Sequence, residues 1–283
     1  MIPLNFVPKE LSPAEFKKIA TFIEKNVGIK MPPEKRLMMQ SRLSARLKAL
    51  KMNSYQEYID YVFSGGSNSD EIIMMIDAMT TNLTEFFREP QHFEYMKQEV
   101  LPRYAREGRN SIKLWSAGCS TGQEPYTLSM VMTDFINSNN GGPLRNYSIL
   151  ASDISTKVLD KASTAIYPRD AIKGIPIDIL RKYFLKGKNP QNPVVRIKPE
   201  IRNKVNFMRL NFMDSNYGIK ETFQIIFCRN VLIYFDKANQ EKVIRQFLNY
   251  LEPGGYLFLG HSETIFGMDL PFQTVSPTVF QKM

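Results

Sequence analysis

The sequence predicts an α/β protein: a doubly wound, Rossmann-like sheet preceded by an all-helical module. Three observations carry that reading. Residues 1 to about 107 show helical periodicity and no strand-like run. After Asn110, short apolar runs alternate with helical stretches, the pattern of a parallel sheet. One of those runs, Phe-Gln-Ile-Ile-Phe-Cys at 223–228, is nearly all apolar, as suits a strand covered on both faces.

The elements follow in order. Residues 13–26 put Phe16, Ile19, Ala20 and Ile23 on one helical face, with Ser12 as N-cap and Pro13 at the first helical position. Residues 33–51 predict a second helix with Leu43, Leu47 and Leu50 on one side, and 54–63, 69–79 and 91–106 predict three more. Past Asn110, a strand over 112–115 runs into a glycine loop at 118–122 and a helix over 124–136. Residues 137–143 are a loop by composition. A strand over 147–151 ends at Asp153, a helix covers 156–163, and a strand over 205–209 ends at Asn211. A helix over 237–251 is expected to stop at Pro253-Gly254-Gly255, followed by a strand over 256–259 and an extended closing segment over 272–281. The stretch 183–204 breaks the alternation. It is basic, and its Val194-Val195-Arg196-Ile197 suits a small hairpin. The expected domains are therefore 1–90, helical with a linker; 91–283, the α/β domain; and 183–204, an insert within it.

Composition narrows the function. The 283 residues suggest two domains at about 150 residues each. No run of roughly 18 apolar residues exists, and the start, MIPLNFVPKELSP, lacks the pattern of a secretory signal. Two cysteines and two histidines argue against a disulfide framework and against a metal site. A reduced, cytoplasmic protein is expected. The net charge of +9 is concentrated: residues 30–51 carry +6, residues 181–209 carry +8, and the rest is net −5. At about 100° per residue, Lys35, Arg42 and Arg46 fall within about 40° of one another, flanking the leucine face as a basic stripe. Two basic patches on a mildly acidic body imply an acidic macromolecular partner or, more plainly, a solvated surface.

Leu-Trp-Ser-Ala-Gly-Cys-Ser-Thr-Gly-Gln-Glu-Pro at 114–125 is a strand, a glycine loop and a helix start at the first strand of an open sheet. Such a loop lets backbone approach a ligand, and nucleotide-like cofactors bind there. It is neither G-x-G-x-x-G nor a P-loop, so phosphate is not favoured. Asp153, at the end of the next strand, is placed to accept bonds from two ribose hydroxyls. An adenosine cofactor without pyrophosphate points to S-adenosylmethionine (AdoMet). The same loop matches G-x-S-x-G, with Ser120, Asp236 and His261 in hydrolase order, so an esterase is the runner-up. An RNA-directed AdoMet methyltransferase is a further alternative, weakened by the lack of aromatics interleaved with the charges.

Four motifs then stand together: Thr-Thr-Asn-Leu-Thr-Glu-Phe-Phe-Arg at 80–88, Trp-Ser-Ala-Gly-Cys-Ser-Thr-Gly-Gln-Glu-Pro-Tyr at 115–126, Cys-Arg-Asn-Val-Leu-Ile-Tyr-Phe at 228–235 and Gly-His-Ser-Glu at 260–263. In that order, over nearly the whole chain, they resemble the chemotaxis receptor glutamate methyltransferases, the CheR family. The resemblance implies a class I AdoMet-dependent methyltransferase fold and methyl transfer to receptor glutamates, yielding glutamate methyl esters and S-adenosylhomocysteine. It implies that Asn82, Thr84 and Arg88 contact AdoMet from the linker, that Glu124 and Asp153 hold its amino-acid and ribose parts, and that Asn211 and Phe212 bracket the adenine. Arg229, Asn230 and Gly118 would line the cofactor, and Arg88 and Tyr234 match the catalytic pair. A glutamate carboxylate, with pKa near 4.3, is already anionic at pH 7 and needs no general base, so orientation is the main task. The resemblance gives the basic stripe of Lys35, Arg42 and Arg46 an acidic methylation helix of the receptor as its partner. It also makes the insert a candidate site for a receptor C-terminal peptide by strand addition. With one glycine and three prolines in that insert, dependence on such a tether is not expected. Nucleic acid is not an expected partner, and a monomer is expected.

Overall fold

Why the helical module closes on itself is visible at its first helix. In a computed structural model that describes residues 10–64, 69–138, 142–191 and 193–283, α1 (Pro13–Val27) starts at a capping box. Ser12 is the expected N-cap and accepts from Glu15 N, while the Glu15 carboxylate accepts from Ser12 N. Phe16, Ile19, Ala20 and Ile23 are buried. A 3-10 turn (Pro33–Lys35) leads into α2 (Arg36–Leu50), then α3 (Tyr55–Phe63) and α4 (Ser69–Met79). Their apolar faces form one core with α1, including Leu43, Leu47, Tyr58 and Met75. The helix expected over 91–106 appears as α5 (Pro90–Tyr95), a π-helical stretch (Met96–Val100) and α6 (Leu101–Arg106). The expected loop at 137–143 lies partly outside the described residues, as does the chain start up to residue 9.

The α/β domain begins with β1 (Ser111–Ala117), α7 (Gln123–Ser138), β2 (Asn146–Asp153) and α8 (Thr156–Thr164). Then come β3 (Ile166–Pro168), α9 (Ile177–Tyr183), β4 (Phe184–Lys186), β5 (Val194–Ile197) and α10 (Pro199–Arg202). The chain closes with β6 (Val205–Arg209), β7 (Phe223–Cys228), α11 (Lys237–Tyr250), β8 (Leu251–Leu259), β9 (Phe272–Ser276) and β10 (Val279–Lys282). The main sheet has the order β6-β2-β1-β7-β8-β10-β9, parallel from β6 to β8 and antiparallel at the β8-β10-β9 end. Every residue of β7 is buried, as its apolar run requires.

Three expectations change. The closing segment is a hairpin, because Thr278 takes a positive φ of 55° and turns the chain. Pro253-Gly254-Gly255 does not separate helix from strand: α11 ends at Tyr250 and β8 runs through all three residues, with a register shift against β7. The insert is a three-stranded sheet, β3-β5-β4, not a lone hairpin, and it draws β3 from residues 166–168, upstream of the expected boundary.

The two modules are joined by specific polar contacts. The Asp77 carboxylate on α4 accepts from Thr156 N, Thr156 Oγ1 and Lys157 N, capping α8 of the other module. Lys30 N donates to Tyr234 O at 2.9 Å, and Asn211 Nδ2 donates to Asn26 O at 2.7 Å. At Gly28, φ is 80° and a Cβ would lie 2.7 Å from Met213 Sδ and from the Phe235 ring. Only glycine fits that position.

Candidate functional site

A cavity opens at the carboxyl ends of β1, β2, β6 and β7, where a doubly wound sheet places its ligands. Gly118, Ser120, Glu124, Asp153, Arg229, Asn230 and Tyr234 line it from the α/β domain. Val27, Met31, Lys35, Met38 and Met79 wall it from the helical module, and Asn82, Thr84 and Arg88 from the linker. Gly118 has φ 83°, and a Cβ there would lie 2.3 Å from Val231 Cγ2, so no side chain fits. Among the described residues, four of the seven non-glycine residues with positive φ are at or beside this cavity: Phe87, Glu89, Ser120 and Asn230. Such strain, about 1–3 kcal/mol per residue, gathers where a site needs it.

Two carboxylates form the polar floor. Asp153 accepts from Ser120 N at 2.8 Å and from Ser155 N at 3.0 Å, one bond per oxygen. Each oxygen retains an acceptor position. Burial pushes the Asp153 carboxyl up, while hydrogen bonds from Ser155 and Ser120 pull it back. Glu124, in the first turn of α7, accepts from Ser116 Oγ at 2.7 Å and from Arg229 Nε at 2.8 Å.

Arg229 organises the rest. Its side chain is 2% exposed, and its Nη1 donates to Arg88 O at 2.8 Å and to Glu89 Oε2 at 3.3 Å. The guanidinium stands over the rings of Phe93 and Phe227 at 5.1 and 5.5 Å. Nη1 also lies 3.1 Å from His92 Nδ1, and since arginine only donates, Nδ1 accepts. Nε2 of His92 therefore carries the proton and donates to Thr278 Oγ1 at 2.9 Å. Burial, and then the Arg229 charge, lower the His92 pKa to about 4.

The folded state thus keeps His92 neutral while the unfolded chain protonates it below its ordinary 6.5. Stability contributed by this residue is complete above pH 6.5 and is lost as pH falls toward 4, roughly 2–3 kcal/mol by pH 4.5. His92→Gln should flatten that part of the profile. Unfolding free energies in urea from pH 7.5 to 4.5 check it, and parallel profiles for parent and variant would contradict it.

A profile described as "CheR methyltransferase, SAM binding domain" matches residues 82–280, and one described as "CheR methyltransferase, all-alpha domain" matches residues 14–80. The chain belongs to the CheR methyltransferase family. The chemotaxis protein methyltransferase of Salmonella typhimurium is 37% identical over 95% of this chain and 90% of its own. That of Borreliella burgdorferi is 35% identical over 95% and 94%. Chemotaxis protein methyltransferase 1 of Pseudomonas aeruginosa is 37% identical over 93% and 94%.

Against this CheR frame, the sequence readings divide. Asn82, Thr84, Arg88, Gly118, Glu124, Asp153, Asn211, Phe212, Arg229, Asn230 and Tyr234 all line the one cavity. Arg88 Nη1 donates to Leu83 O at 3.1 Å, and Tyr234 sits in a 3-10 turn (Leu232–Tyr234). Asn211 and Phe212, expected to bracket the adenine, reach the cavity from the end of β6. Phe212 is 7% exposed, and its ring meets Phe247 edge-on at 5.6 Å within the core, while the Asn211 amide is tied to α1.

The side chains of the basic stripe are held within the chain. Arg42 Nη1 donates to the carbonyls of Ala78, Met79 and Thr80, and Nη2 to Thr81 Oγ1, closing the end of α4. Arg46 forms a two-pronged bond to Glu71, at 2.9 and 2.5 Å, and Glu71 also accepts from Tyr58 Oη at 2.8 Å. Lys35 Nζ donates to Lys30 O and lines the cavity. Helical phase put these three side chains on one stripe, but neighbouring elements that phase cannot reveal have engaged them.

The hydrolase triad does not assemble. Ser120 Oγ donates to Asn82 O, Asp236 caps α11 through Asn239 N, and His261 is 53% exposed beside Glu89 at 3.9 Å. Ligand atoms of Glu89, His92 and His261 lie within 4.8 Å of one another, yet the Arg229 guanidinium already bonds two of the three.

Glu263, the last residue of the Gly-His-Ser-Glu motif, has a role that its sequence position alone does not reveal. Its carboxylate accepts from the backbone N–H of Asn230, Val231, Ile233 and Gly260 at 2.6–3.3 Å. It thereby holds the turn that carries both Asn230 and Tyr234. Sequence position likewise does not reveal the roles of Glu89, His92 and Asp77.

Proposed function

We propose that this CheR protein transfers the methyl group of AdoMet to glutamate side-chain carboxylates of chemoreceptors, giving methyl esters and S-adenosylhomocysteine. The observation that carries this reading is the pair of buried carboxylates, Asp153 and Glu124, on the floor of a strand-end cavity that also holds Arg88 and Tyr234. The donor set fits AdoMet: Asp153 keeps two acceptor positions for vicinal hydroxyls, and Glu124 offers negative charge to an amino group. When bound, AdoMet supplies a methyl group on a positively charged sulfur. Asn82 and Thr84 approach it from the linker, and Gly118, Arg229 and Asn230 from the strand ends. Arg88 and Tyr234 orient the incoming glutamate carboxylate, which is anionic at neutral pH and needs no proton removed. The walls from the helical module exclude water, which strengthens every charge interaction inside.

Asp153→Ala should weaken S-adenosylhomocysteine binding by about 1.5–3 kcal/mol, roughly 10- to 150-fold, through loss of charge-assisted bonds. Calorimetric titration measures it. Unchanged affinity in a folded variant would remove the ribose assignment.

Among the described residues, no helix is long and apolar enough to cross a membrane. We infer that the protein acts as a cytoplasmic monomer. A receptor-tail peptide is a second partner for the small sheet, whose edge strands β3 and β4 accept strand addition. The three prolines Pro190, Pro193 and Pro199 favour a protein that methylates without that tether.

A further inference from the structure

We propose that the outer face of α1 is a track that seats an acidic amphipathic helix of the receptor substrate and leads it to the catalytic mouth; this rests on the reading of the chain as a receptor glutamate methyltransferase. Positions 14, 17, 18, 21 and 25 of α1 recur at helical spacing and form one face. Lys17, Lys18 and Lys25 line a shallow groove there, together with Phe22 and Phe63. The two rings meet at a centroid distance of 5.0 Å, and Phe63 is 37% exposed, so the groove has an apolar floor under a cationic rim.

Among the described residues, no acidic one lines this groove. The acids of α1 point to other duties: Glu15 closes the capping box, and Glu24 accepts from Met31 N at 2.8 Å. Among the described residues, Lys17, Lys18 and Lys25 form no ion pair, in contrast to Arg46 on α2. A like-charged rim over an apolar floor complements a helix with acidic flanks and an apolar stripe.

The groove ends one residue short of the site, since Asn26 lines the groove and Val27 the cavity. The Asn26 carbonyl accepts from Asn211, which walls the cofactor cavity. Four residues on, Lys30 N donates to the carbonyl of Tyr234. The 15 residues of α1 span about 22 Å. A helix lying along that length thus has one end beside Tyr234, where its glutamate carboxylate meets the catalytic pair.

The test is the triple variant Lys17→Glu, Lys18→Glu, Lys25→Glu, assayed on a receptor cytoplasmic fragment. All three side chains are exposed. The expected result is a fall of tenfold or more in kcat/KM at low salt, carried by KM, with calorimetric affinity for S-adenosylhomocysteine unchanged. Added salt should slow the parent and leave the variant nearly flat. The triple Lys→Gln variant should fall between the two, and Phe63→Ser should raise KM while keeping the parent's salt slope. A triple reversal variant with the parent's kcat/KM and salt slope overturns the track while leaving the methyltransferase reading intact. A parent that binds S-adenosylhomocysteine yet methylates no receptor glutamate overturns that reading and the track with it. Binding of the parent to vesicles of phosphatidylserine and phosphatidylcholine, lost in the variant whose receptor kinetics are unchanged, would assign the face to a membrane surface and overturn the proposal.

Discussion

Arg229→Leu should unfold at a lower urea concentration than the parent, by about 3–5 kcal/mol, and lose most affinity for S-adenosylhomocysteine. The size of the effect follows from what the guanidinium leaves behind. Glu124 and Glu89 are both largely buried and both bond to Arg229. Without it, two carboxylates remain in low dielectric, and Arg88 O and His92 Nδ1 each lose a donor. Leucine restores contact with Phe93 and Phe227 but supplies no charge. An unfolding midpoint shifted at constant m-value separates lost stability from altered compactness. A variant with parental stability and affinity would show that the network is incidental.

The double reversal Arg42→Glu, Arg46→Glu should destabilise the helical module by about 3–5 kcal/mol and weaken cofactor binding as well. Reversal at 46 sets a second carboxylate against Glu71, whose side chain is 7% exposed, and removes both prongs of its ion pair. Reversal at 42 leaves the last carbonyls of α4 without their donor, each an unsatisfied group worth about 1–3 kcal/mol if buried. Because the linker with Asn82 and Thr84 continues from that helix end, the cofactor wall loosens too. Swapping the pair, Arg46→Glu with Glu71→Arg, should recover part of the loss. A solvated stripe would instead leave melting temperature and S-adenosylhomocysteine affinity unchanged and alter only receptor kinetics. Differential scanning calorimetry with and without S-adenosylhomocysteine distinguishes the two.

Local signals made much of the protein legible. The N-cap at Ser12, the apolar run at 223–228 and the helix over 69–79 need only neighbours in sequence, and they appear where expected. The strand-end positions of Asp153 and Arg229 follow from topology, which the alternation of elements discloses. What stayed hidden depends on contacts between distant segments. Nothing near Asp77 announces that it caps a helix 79 residues away, and nothing in the phase of α2 says that Glu71 and the end of α4 lie within reach of Arg46 and Arg42. Glu263 was visible as part of a motif, but its role is defined by four backbone N–H groups, which a sequence does not display.

The fit at Gly28 has an outcome for recombination. The helical module meets Met213 and Phe235 there at a distance that admits no methyl group, and its next residues wall the cofactor cavity. Grafting a foreign helical module onto this α/β domain would therefore transplant one wall of the ligand's enclosure along with any change in partner choice. Chimeras cut between the modules should show altered cofactor affinity even when every strand-end residue is retained. An exchange of the helical module is thereby also an exchange of the methyl donor's surroundings.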